Sequence, residues 1–192
     1  FNRFLETFNE EASFIKEEYL KLDYNQLTVD WNQYFALPWN ARFGVRLFSG
    51  WIDNEAVDED DLVNDFFDYH LGGLSYMKGY TFYSIEGRKA AMATAVLRFP
   101  VVSHWGARWQ QFYLDKIFAA VYADVGKAWD GAWDEADVFY GRKGPLRDFG
   151  SQIRVDFNSH YSLPTRVQFD CAYGIDEVAT RSPWKYYLTI LF

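Results

Sequence analysis

Apolar and polar residues alternate with a period of two along seven stretches of the chain: 24–37, 41–51, 88–99, 113–126, 148–158, 165–174 and 183–192. That period puts successive side chains on opposite faces of a β-strand. In 165–174, Val167, Phe169, Cys171 and Tyr173 share one face, and Arg166, Gln168 and Asp170 the other. In 148–158, Ile153, Val155 and Phe157 oppose Gln152, Arg154 and Asp156. In 183–192, Trp184, Tyr186, Leu188, Ile190 and Phe192 line a single face. Each run is roughly ten residues, the length a tilted strand needs to cross a bilayer, against about five or six for a soluble strand. Ionisable residues collect on one face of the seven (Arg46, Arg98, Asp124, Arg154, Asp156, Arg166, Asp170). The other face is apolar, with aromatics near strand ends as in a membrane-interface girdle.

The connections sharpen this reading. Residues 38–40 make a tight turn, 52–87 is long, 100–112 intermediate, 127–146 long, 159–164 short and 175–182 moderate. Outer-membrane barrels have short periplasmic turns and longer extracellular loops. The pattern predicts an all-β chain, an antiparallel transmembrane β-barrel with Phe192 at the periplasmic end. Bacterial barrels have even strand numbers with both ends in the periplasm. Residues 1–23 therefore hold an eighth strand, or the chain is the C-terminal part of a larger barrel. Those residues alternate poorly, and Phe4, Leu5, Phe8, Ile15, Tyr19 and Leu22 fit an amphipathic helix as well, so 1–23 reads as loop, helix or partial strand.

Composition adds exclusions. Acids outnumber bases 27 to 19, and the net charge of −8 argues against nucleic acid as a partner. A single cysteine, Cys171, excludes an internal disulfide and a cysteine zinc cluster. The longest apolar run, Ile117 to Ala123, is too short for a membrane helix. The mean hydropathy of −0.28 reads as soluble, but a barrel with a polar lumen reads the same way. Aromatics reach 21%, more than a small soluble core uses.

Catalytic chemistry finds no foothold. There is no Gly-x-Ser-x-Gly, and Ser75 and Ser151 have no nearby base in sequence. Gly141-Arg142-Lys143-Gly144 lacks the ending of a phosphate loop. His70, His104 and His160 are scattered without ligand spacing, and the acidic run from Asp53 to Asp68 lacks the central Gly and closing Glu of a calcium loop. The reading is a non-enzymatic chain with no metal and no cofactor, and the acidic run is a solvated extracellular loop.

Several motifs, in order, carry a resemblance. Leu71-Gly72-Gly73-Leu74-Ser75-Tyr76-Met77-Lys78-Gly79-Tyr80, followed by Glu86-Gly87, is similar to the signature loop of the outer-membrane assembly-factor, or bacterial surface-antigen, superfamily. Val96-Leu97-Arg98-Phe99-Pro100 resembles the next strand's Glu-x-Arg-x-Pro, and Tyr122-Ala123-Asp124-Val125-Gly126 the following aromatic-x-Asp-x-Gly. Lys185, Ile190 and Phe192 match the C-terminal assembly signal. The chain departs from the family at Lys78 (usually Arg), Val96 (usually Glu) and Tyr187 (usually Gly). Lysine cannot make arginine's bidentate fork, so a divergent member is implied.

The resemblance implies that residues 1–192 are the C-terminal seven or eight strands of a barrel of about sixteen. It implies that 52–87 folds into the lumen, held by a Lys78–Asp124 ion pair. It also implies insertion or translocation of proteins at the bacterial outer membrane, or anchoring of a fused periplasmic domain. Lipid or lipopolysaccharide, other envelope proteins and an N-terminal part of the same protein are the implied partners. A passive pore and a small soluble ligand-binding barrel are the alternatives.

Overall fold

The structure, a computed structural model, describes residues 25–53, 68–134, 140–141, 143–159, 163–176 and 182–192. Seven long strands form one antiparallel sheet in chain order: β1 (Asn25–Ala36), β2 (Arg42–Asp53), β5 (Lys89–Val102), β7 (Phe112–Trp129), β8 (Leu146–Ser159), β9 (Leu163–Gly174) and β10 (Trp184–Leu191). The order β1-β2-β5-β7-β8-β9-β10 is an up-and-down meander, and the sheet does not close among the described residues. The seven alternating stretches are these seven strands. The turn at 38–40 is a single 3-10 turn, Pro38–Asn40.

Three short strands had no signature in the alternation. β3 (Tyr69–Leu71) pairs with β4 (Ile85–Gly87) as a separate hairpin, and β6 (Ala107–Trp109) extends the sheet beside β7. Three residues are too few to show a period. β7 runs past the expected 113–126 to Trp129, where its end packs on Gly87. The expectations for 1–23, for the acidic residues between Glu55 and Asp65, and for His160 fall outside the described residues.

Cross-strand register fixes the two faces. Phe99, Val121, Ile153, Phe169 and Leu188 stand on one face, exposed at 39–66%. On the other face Met92, Tyr122, Asp124, Asp148, Gln152, Asp170 and Ala172 are buried. Among the described residues the small two-stranded β3–β4 hairpin and its tip cover that polar face, and no helix does. The apolar cluster therefore sits beneath the loop: Leu71, Met77, Tyr80 and Ile85 pack with Phe48, Ala90, Met92 and Leu146 from the sheet. A sheet that buries its charged face and exposes its oily one has the polarity of a barrel wall in lipid.

Candidate functional site

The site grows from the tip of the β3–β4 hairpin. Gly72 and Gly73 turn the chain with φ of 101° and 94°, in the left-handed region where glycine is favoured. A Cβ on Gly72 would also collide with the Thr81 carbonyl oxygen. This turn aims Met77, Lys78, Gly79 and Tyr80 at the inner face of β7, β8, β9 and β10.

Each tip residue has its own seat. Met77 lies on Gly126, where its sulfur would be 2.8 Å from an added Cβ. Lys78 passes over the Tyr122 ring, 4.6 Å from its centroid, and its Nζ reaches Asp170 Oδ1 at 2.5 Å. The Gly79 N–H donates to Asp148 Oδ2 at 2.5 Å. A Cβ at Gly79 would meet the Asp148 Cβ at 2.5 Å and the Gly174 nitrogen at 2.8 Å, so only glycine lets the backbone come this close. The Tyr80 hydroxyl donates to the Arg147 carbonyl at 2.7 Å and accepts from the N–H groups of Arg147 and Asp176 at 3.1 and 3.3 Å. Burial holds the Tyr80 phenol well above its usual range, so it stays protonated and remains a donor.

Asp170 is fully buried and well compensated. Besides Lys78 it accepts from Gln152 Nε2 at 2.9 Å and Gln168 Nε2 at 2.8 Å, and Arg98 in turn donates to Gln152 Oε1 at 3.1 Å. A buried carboxylate with a cation and two amide donors meets the conditions under which burying charge is tolerated.

This corrects the expected ion pair: Lys78 is held by Asp170, not by Asp124. The reason is register. Asp124 stands directly opposite Asp148 on β8, and Asp170 is level with Gln152 and Ala120, four residues along β7 from Asp124. Passing over Tyr122 carries the ammonium past the Asp124 row to the Asp170 row. Asp124 and Asp148 are both buried, and neither Oδ1 has a hydrogen-bond partner.

The remaining sequence candidates sort by position. Arg98 and Tyr122 belong to the site, and Gly126 seats Met77. Gly87 packs on the Trp129 backbone at the root of the hairpin, and Glu86 is exposed, 3.9 Å from His70. Pro100 lies at a register shift in β5, away from the tip. Lys185 donates to the Ser182 carbonyl at 2.6 Å, and Ile190 and Phe192 are exposed on the oily face. Motif reasoning passed over Asp148 and Asp170, and marked Tyr187 only as a departure from the family's glycine. The alternation does place Asp170 on the polar face, so the signal was there for its face but not for its partner.

The arrangement binds a loop to a wall. Its chemistry is charge pairing and close backbone approach.

In comparison with known families, a model described as the Omp85 superfamily domain matches residues 6–178. No curated protein matches the chain.

Proposed function

Because the chain belongs to the Omp85 superfamily, an outer-membrane family of protein insertion and translocation, we propose that it is the C-terminal barrel wall of a protein that inserts or translocates other proteins at the bacterial outer membrane. The observation that supports this most is the inserted tip. A long extracellular connection is seated by Lys78, Gly79 and Tyr80 on the polar face of an otherwise open antiparallel sheet. Edge strands β1 and β10 each pair on one side only among the described residues. Unpaired strand edges are templates for an incoming strand, and a seated loop keeps the wall rigid while one arrives.

In this reading the oily face touches outer-membrane lipid, with lipopolysaccharide in the outer leaflet. Other envelope proteins, or an N-terminal part of the same protein, complete the barrel to about sixteen strands. The exposed face argues against a soluble ligand-binding barrel, which buries its oily residues.

Reconstitution tests the reading. The full-length protein is placed in liposomes, an unfolded outer-membrane barrel is added, and its folding is followed by heat-modifiable gel mobility. Faster folding than in empty liposomes is expected, with the gain reduced by Lys78→Ala. Equal rates in loaded and empty liposomes, together with steady ion conductance in planar bilayers, would instead favour a passive pore.

A further inference from the structure

β10 is the shortest of the seven long strands and is held by the least pairing. It meets β9 at eight register positions, whereas β7 and β8 meet at fourteen. No described strand pairs with its other edge. A strand with one short ladder is the first part of a sheet to fray. Something beyond the ladder also touches it.

That something is the loop tip. Tyr187 points inward from β10, and its hydroxyl donates to the Lys78 carbonyl at 2.9 Å, with the Tyr80 carbonyl at 3.4 Å. Its ring meets Phe82 edge to face, with centroids 5.7 Å apart. Tyr187 is the cross-strand partner of Asp170 on β9. Lys78 thus grips both members of one rung: its ammonium holds Asp170 of β9, and its backbone carbonyl holds Tyr187 of β10.

We propose that Lys78 staples β9 to β10 through the Asp170–Tyr187 rung, so that seating of the loop sets how firmly the last strand stays in the sheet. Tyr187 is a positioning residue in this account. It takes the place where the family's C-terminal signal usually has glycine, which has no side chain to reach the loop. The inference goes beyond the proposed activity, and it concerns this chain's own last strand whichever protein is being inserted.

Hydrogen–deuterium exchange of the full-length protein in nanodiscs, read by mass spectrometry, tests the staple. Tyr187→Phe keeps the ring against Phe82 and removes only the donor. It is expected to speed exchange of β10 amides about fivefold, the effect of losing one net hydrogen bond, and to leave β7 and β8 unchanged. Lys78→Met removes the charge on the β9 side. It is expected to speed β10 exchange as well, and Lys78→Arg to restore protection. The double variant is expected to match the faster single one, because breaking either end opens the staple. Thr189→Val is the control: Thr189 is the next inward residue on β10, and its buried Oγ1 has no partner. It is expected to leave β10 exchange within about twofold of wild type. Unchanged β10 exchange in Tyr187→Phe would overturn the staple. So would loosening confined to the loop in Lys78→Met, or an equal effect of Thr189→Val. None of these readouts depends on insertion activity, so the staple and the proposed function fail separately.

Discussion

The two faces of one sheet follow opposite rules. The outer positions of β5, β7 and β8 (Ala93 to Phe99, Ala119 to Val125, Phe149 to Phe157) carry no charge and are exposed or half-buried, with Ile153 exposed at 53%. One residue along the same strands, Asp124, Asp148 and Gln152 are buried under a loop. In a soluble sandwich the apolar face is the covered one. Here apolar side chains face outward because lipid tails accept them without cost, and charged ones face inward because a loop and water can pair them. A fold can thus invert the usual arrangement of apolar and polar faces, once its solvent is counted.

The comparison can be broken at either face. On the outer face, Ile153→Arg puts a charge near the middle of β8. It should cost about 2–4 kcal/mol of folding stability in lipid, measured by urea titration in bilayers. A neutral outcome would put that face in water. On the inner face, Asp170→Ala leaves Lys78 without its counter-charge and strands two glutamine donors. A loss of about 2–3 kcal/mol is expected, with faster cleavage of residues 72–84 by added protease. Gly79→Ala places a Cβ 2.5 Å from that of Asp148. It should expel the tip with a smaller loss of about 1–2 kcal/mol, seen as the same cleavage pattern.

The smallest expected effect separates two accounts of the loop. Asp124→Asn should leave protease resistance unchanged within about 0.5 kcal/mol, because Lys78 pairs with Asp170. It also relieves the repulsion that two facing carboxylates feel when both are ionised. Loop opening as large as in Asp170→Ala would return Asp124 to the role that the motif implies.

Much of this was legible in the residues, and the failures have a common cause. Period two is local, so every long strand and the face of nearly every residue in it could be read directly. The tip was legible because Gly72, Gly73, Lys78, Gly79 and Tyr80 form one contiguous motif. The partner of Lys78 was not, because it depends on how three strands are offset against one another. Cross-strand pairing sets that offset, and no local pattern carries it. Tyr187 looked like a mere departure from glycine, and only the fold shows what its hydroxyl reaches. β3 and β4 escaped notice because they exist only by pairing with each other.

The central claim is that the apolar side of the sheet meets hydrocarbon while the polar side is sealed by the loop. Nitroxide scanning of β8 tests it most directly. Single cysteines at successive positions from Asp148 to Val155, in a Cys171→Ser background, are labelled in the full-length protein in bilayers. Collisions with lipid-soluble oxygen and with a water-soluble nickel chelate are then compared. The account predicts a period-two pattern, with oxygen dominant at 149, 151, 153 and 155 and suppressed at 148, 150, 152 and 154. Chelate dominance at 153, or no alternation along the strand, would contradict it.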